Sequence, residues 1–243
     1  MDTPDNVRFQ LDPRIDPASL SPIFRRARRL HIPGILRQDG AEALYRHLAT
    51  EPHWSLVLHD GGGVREATPQ LRERLGPQME AEAAATAYRG ARDGFNFLYE
   101  HRRVPEDASE RALDPSLLAR FVDFLNSDAF IGFARKLTGI NDIAWADAQA
   151  TRYRGGHFLT THDDQTDLKT RRAAYVLNLT PGWKVDFGGL LQFIDEDGHV
   201  AEAYVPRFNA LNIFAVPQLH AVSMVTPFAV GPRYSVTGWL RAR

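Results

Sequence analysis

Cysteine is absent from this chain, which excludes disulfides, zinc–thiolate sites and cysteine nucleophiles and fits a reducing compartment. A surplus of either charge is also lacking: 29 Lys and Arg stand against 30 Asp and Glu, so no global field draws the protein onto nucleic acid or an acidic membrane. The opening MDTPDNVRFQ has no basic stretch followed by an apolar one, and no later run is apolar for long enough to cross a bilayer. These absences predict a soluble, cytoplasmic protein without membrane contact. Internal repeats, low-complexity tracts and a convincing linker are lacking too, so the 243 residues are expected to form one elaborated domain.

What is present changes character near the middle of the chain. Residues 1–140 read as largely helical support with early strands. QDGAEALYRHLAT has Asp39 or Gly40 placed to cap a helix, with Leu44, Tyr45 and Leu48 on one side. WSLVLHD reads as a strand, and GGGVREATPQ as a loop leading to a helix from about Thr68 to Tyr88. DPSLLARFVDFLNS sets Asp114 as a cap and Pro115 at the first helical position, with Leu117, Leu118, Phe121, Phe124 and Leu125 at helical spacing. Ser127 and Gly139 bracket a further helix. Residues 141–243 switch to short β-rich segments divided by turns such as PGWKVDFGG and DEDG, about eight strands with no room for crossover helices. The expected fold is mostly β with helical support: an antiparallel double-sheet jelly roll, cupin-like, with the amino-terminal helices packed on it.

The segment HFLTTHDDQT begins like a strand and ends in acid. It is either a strand running into an acidic surface turn or a strand end carrying metal ligands. In a regular strand residues at i and i+2 share a face, so His162 and Asp164 point together and Asp163 points away. His220, at the head of the strand-like HAVSMV, would complete a set of two histidines and one carboxylate, the triad that leaves open positions on non-haem Fe(II). Each of these residues also has an ordinary reading as a packed or surface side chain. Arg233 heads the last β segment, RYSVTGW, with Ser235, Thr237 and Trp239 on its face; arginine is suited to holding a carboxylate bidentately in a buried pocket, although a surface ion pair is the default for an isolated arginine.

Taken in order, Y-x8-H-x-D, RRAAYVLNLTPGW, FGGLLQF, VPRFNALNIFAV, H-A-V and RYSVTGW resemble the 2-oxoglutarate and Fe(II)-dependent dioxygenases of the prolyl 4-hydroxylase superfamily. The similarity runs from about residue 145 to 241 and is nearest to the branch of the eukaryotic ribosomal-protein prolyl hydroxylases and their bacterial relatives. The resemblance implies a double-stranded β-helix with Fe(II) held by His162, Asp164 and His220, and Arg233 gripping the distal carboxylate of 2-oxoglutarate. It implies O2 as co-reactant, ascorbate as a stimulant, and hydroxylation of a C–H bond with release of succinate and CO2. The favoured substrate is a prolyl residue of a protein or peptide, with ribosomal and translation-factor proteins first in line; a small molecule is the alternative. Tyr153 matches a tyrosine that lines the cosubstrate pocket, with a core aromatic as its other reading. Relatives often carry a second tyrosine where this chain has Asn178, so either Asn178 contacts the cosubstrate or nothing there does; Tyr175 lies nearby but faces the opposite side. The eukaryotic enzymes carry a second β domain for which this chain is too short.

Three features remain. FRRARRL at 24–30 is either a solvated face or a contact for an acidic partner such as RNA, with nucleic acid the less favoured reading. GGGV lacks the continuation of a phosphate-binding loop and is read as a loop near the pocket mouth, and Trp183 either covers the site or packs on the sheet. Two rival functions use the same residues: a cupin-like Zn or Mn metalloenzyme, which would not need Arg233, and a noncatalytic β-sandwich interaction module with structural histidines.

Overall fold

In the computed structural model, which describes residues 7–165 and 170–243, helix α1 (Pro17–Ala27) starts where the Asp16 carboxylate accepts the Ala18 and Ser19 N–H groups and stops at left-handed Arg28. Strand β1 (Arg29–Pro33) follows at once. Helix α2 (Gln38–Thr50) begins at Arg37 without a side-chain cap, so neither Asp39 nor Gly40 caps it; Asp39 lies in the first turn, where its charge favours the helix dipole. Strands β2 (Ser55–His59) and β3 (Val64–Ala67) form a hairpin. The sequence reading leaves β3 as loop because its exposed Val64, Arg65 and Glu66 show no buried alternation. Helix α3 (Pro69–Gly90), capped by Thr68, is broken at Gly76 with φ 70° before Pro77.

Strand β4 (Phe97–Arg103) is also unanticipated, and a short α4 (Ala108–Arg111) follows. Helix α5 (Leu117–Leu125) is capped by Ser116, not Asp114; Asp114 instead accepts the Ser116 N–H at 2.9 Å. Helix α6 (Asp128–Thr138) runs from the Ser127 cap to left-handed Gly139, as its signals require.

The rest is β structure: β5 (Trp145–Ala146), β6 (Gln149–Tyr153), β7 (Phe158–His162), β8 (Arg171–Asn178), β9 (Leu191–Ile194), β10 (Val200–Tyr204), β11 (Ala210–Ala215), β12 (His220–Val222) and β13 (Arg233–Arg241). Strands β11-β8-β13-β6 lie side by side, as do β7-β12-β9-β10, and β4 joins the two rows by pairing with both β6 and β7. All pairings are antiparallel, giving the expected jelly-roll barrel. DEDG is the β9–β10 hairpin turn, but PGWKVDFGG is not one: with a single 3₁₀ turn at Val185–Phe187 it carries the chain from one row to the other.

Strand β8 explains why the helices and the barrel share a core. Ala173, Tyr175 and Leu177 pack with Leu44, Leu118 and Leu137 of the helices, while Ala174 and Val176 face inward with Leu191, Phe193 and Phe214. A strand covered on both faces reads as a continuous apolar run, which RAAYVLNL is. Each fully buried leucine of the helical layer contributes about 1.5–3 kcal/mol. Helix α3 is fastened differently: Glu100 of β4, 0% exposed, meets Arg72 of α3 at 2.7 Å, Arg152 at 2.5 Å and Arg154 at 2.8 Å. Among the described residues no helix is long and apolar enough to cross a membrane.

Candidate metal centre and anion pocket

Strands β7 and β12 are neighbours with His162 directly opposite His220, so their imidazoles meet with centroids 4.1 Å apart. Asp164 arrives by another route than strand alternation. Strand β7 ends at His162, and Asp164 sits beyond it in the left-handed region with φ 64°, a conformation aspartate tolerates better than most side chains. Its Oδ1 lies 3.4 Å from His162 Nε2 and its Oδ2 3.5 Å from His220 Nε2. One ligand atom from each residue falls within 4.8 Å of the others. Asp163 is occupied elsewhere, accepting the Gln165 N–H at 2.9 Å.

The donor chemistry fits a cation. Each imidazole has its Nδ1 against a backbone carbonyl, His162 at 2.9 Å from Thr160 O and His220 at 2.8 Å from Gln218 O. A carbonyl can only accept, so Nδ1 carries the proton and Nε2 keeps its lone pair toward the Asp164 carboxylate. Burial, then repulsion from His162, pushes His220 down to about 4, so it is neutral at physiological pH. Burial alone would raise the Asp164 carboxyl, but contact with His162 and the field of His220 hold it below its ordinary value.

These residues line a cavity of about 940 Å³ that also receives Arg233, Tyr153, Ser235, Thr237 and Trp239. Arg233 is 2% exposed and has no carboxylate partner among the described residues. Its Nη2 donates to Asn178 Oδ1 at 3.2 Å, its Nε has no partner among the described residues, and its guanidinium lies 5.2 Å above the Tyr153 ring. Burial pushes it down to about 10, still charged at neutral pH. Asn178 thus stands behind the arginine and does not line the cavity. Its amide is oriented by Nδ2 donating to Ala210 O at 3.3 Å. Tyr175 is turned away into the helical core, donating to Asp147 O at 2.7 Å. Gly189 has φ 64°, and a Cβ there would come within 3.2 Å of Arg233 Cδ; glycine lets the crossover pass close to the arginine. Trp183 packs beside Tyr153 and Val225 and donates to Gly188 O, so it does not cover the cavity.

Several lining residues escape sequence reasoning. Phe97 and Tyr99 of β4, with Phe95 just before it, form an aromatic row ending where Tyr99 stacks on Tyr153 at 5.2 Å and 8°. The i, i+2 alternation in FNFLY was the available signal. Val64, the last residue of GGGV and the first of β3, is among the residues lining the cavity. The basic run FRRARRL is divided: Arg25 bonds Ser21 at 2.8 Å, Arg28 caps α1, and Arg29 pairs with Glu202 at 2.7 Å.

The jelly roll thus brings a His-Asp-His cluster that could hold a cation and a buried arginine that, among the described residues, has no carboxylate partner into one cavity. Residues 148–241 match the family model described as 2OG-Fe(II) oxygenase superfamily. The chain is 29% identical over 152 residues to the prolyl 3-hydroxylase OGFOD1 of Mus musculus (60% of this chain, 27% of that one) and 30% identical over 151 residues to that of Xenopus laevis (59% and 28%). It therefore spans little more than a quarter of the length of these curated relatives. Its fold is similar to a prolyl-4-hydroxylase of Pseudomonas putida, with a TM-score of 0.60 at 14% identity, over 98% of this chain and 96% of that one.

Proposed function

We propose that this protein is a 2-oxoglutarate- and Fe(II)-dependent dioxygenase that hydroxylates a substrate C–H bond, with a prolyl residue of a protein or peptide as the substrate. One observation carries the reading: two imidazole Nε2 atoms and a carboxylate converge in the cavity that also holds a buried cation with no carboxylate partner among the described residues. His162, Asp164 and His220 would hold the metal. Fe(II) with 2-oxoglutarate and O2 supplies the oxidation: one oxygen atom enters the substrate C–H bond and the other enters the oxoacid, which leaves as succinate and CO2. Arg233, desolvated in advance and backed by Asn178, binds the distal carboxylate. Tyr153 and Tyr99 wall the oxoacid side and exclude water from it. Ascorbate is the expected stimulant.

A Zn or Mn cupin would use the triad but leaves Arg233 without a task, and an interaction module leaves both unexplained. The prolyl substrate rests on the curated relatives, which are prolyl 3-hydroxylases by name. Ribosomal and translation-factor proteins are the first candidates, and a small free molecule is the alternative. The test is anaerobic addition of Fe(II) and 2-oxoglutarate: a weak visible charge-transfer band is expected, absent in His162→Ala, with 2-oxoglutarate affinity reduced in Arg233→Ala. Mass spectrometry of candidate proteins, with and without the active enzyme, then seeks the gain of one oxygen atom. No conversion of oxoacid to succinate under any primed condition, with unchanged oxoacid affinity in Arg233→Ala, overturns the reading.

A further inference from the structure

Arg171 opens strand β8, and its guanidinium lies flat on the Trp239 indole, 3.5 Å from the ring centroid. From there Nη1 donates to the backbone carbonyl of Asp164 at 2.9 Å, while the same nitrogen stays 3.9 Å from the carboxylate Oδ1. The Nε of Arg171 is buried without a hydrogen-bond partner among the described residues. The nearby acid Asp147 is taken by Arg241 at 2.5 Å, so it offers Arg171 no competing ion pair. The guanidinium is thus aimed at the main chain of a residue whose φ of 64° few side chains adopt unaided.

We propose that Arg171, locked on Trp239, is a positioning residue that holds Asp164 in its left-handed conformation and so sets the carboxylate against the two imidazoles. The inference rests on the metal-centre reading above. Pinning the Asp164 carbonyl fixes the peptide plane after it, and a side chain as short as aspartate then has two torsions left with which to reach His162 and His220. Planarity suits Arg171 to this: one face stacks while an edge N–H donates, which an ammonium cannot do. The positive charge works against the same end, because a guanidinium beside Asp164 weakens the carboxylate's attraction for a cation. The two effects predict opposite signs when Arg171 is replaced, so metal affinity distinguishes them.

The test is visible-absorption titration of the apoprotein with Co(II), a probe that needs no turnover. Wild-type protein is expected to bind one Co(II) with ligand-field bands that His162→Ala abolishes. Arg171→Met keeps the apolar bulk and loses the donor and the charge; it should weaken Co(II) binding about tenfold or more and alter the bands, the size expected when a residue supporting a ligand is lost. Arg171→Lys, which can still reach a carbonyl, should recover part of that affinity. If Arg171→Met fails to fold, Trp239→Leu is titrated against Trp239→Phe: loss of affinity in the leucine variant and its retention in the phenylalanine variant support the platform. Equal or tighter Co(II) binding in Arg171→Met, or in Trp239→Leu where that variant is used, overturns the positioning role and leaves the metal centre intact. A wild-type protein that binds no Co(II) overturns the metal-centre reading itself, and this inference with it.

Discussion

Arg233 Nη2 donates to Asn178 Oδ1 at 3.2 Å, a buried cation meeting a neutral amide where a carboxylate would neutralise it. Keeping the partner neutral leaves the charge available for an incoming anion. Asn178→Asp supplies a carboxylate of nearly the same shape at the same place, and the resulting internal ion pair competes with the oxoacid. The expected outcome is a 2-oxoglutarate KM raised about tenfold or more, the scale of a lost charge-assisted hydrogen bond, with a circular dichroism spectrum like wild type. Steady-state kinetics against 2-oxoglutarate checks it, and an unchanged KM removes Arg233 from the anion site.

The two aspartates of HFLTTHDDQT should differ sharply. Asp164→Ala removes the carboxylate facing both imidazoles and is expected to abolish iron-dependent turnover. Asp163→Ala loses a side-chain bond to Gln165 N–H in an exposed turn and should keep most of it. The reverse ranking, read by succinate release, would mean the site is wrongly assigned.

That pair also shows how far the sequence could be read. His162 and His220 come from strands whose patterns were plain, and their antiparallel register delivers them to each other. Strand alternation singles out Asp164, yet the strand stops two residues short and a left-handed turn does the placing. Spacing gives residue separation; it does not distinguish a continued strand from a turn that returns the side chain to the same neighbour. Strand β4 was lost because helical signals surround it, although Phe95, Phe97 and Tyr99 alternate as a half-buried strand should. Arg171 could not be found at all, because a cation's task depends on what lies across the barrel from it.

Glu100 holds three arginines in a buried position, which makes it a strong target for destabilisation. Glu100→Ala leaves Arg72, Arg152 and Arg154 without their shared carboxylate. A loss of about 3–5 kcal/mol is expected, the cost typical of breaking a buried pair from one side. Chemical denaturation measures it. A loss within about 0.5 kcal/mol, typical of surface substitutions, would show that α3 is held without Glu100, by its apolar contacts together with the Glu80–Arg154 pair at 3.0 Å and the Arg72 bond to Trp54 O at 2.9 Å.

His157 supplies part of the pH dependence. It is 5% exposed, its Nδ1 has no partner among the described residues, and burial first of all pushes it down to about 4. Its folded pKa therefore lies below the unfolded value of about 6.5. Between those values the unfolded chain binds a proton that the folded protein refuses, so stability is full above about pH 6.5 and falls as pH drops toward 4. The expected loss across that window is on the order of 3 kcal/mol from this group. Glu100 behaves in the same direction at lower pH: burial would raise it, but the arginines hold it below its ordinary value, so its contribution disappears only below about pH 4.5. The two are separable by the window in which they act. Thermal melting of the apoprotein against pH should show a decline beginning near 6.5 that is shallower in His157→Gln but persists, because His220, also pushed down to about 4, acts in the same window, whereas Glu100→Gln should flatten only the acid end. A decline near 6.5 of equal depth in His157→Gln would assign that window to other histidines.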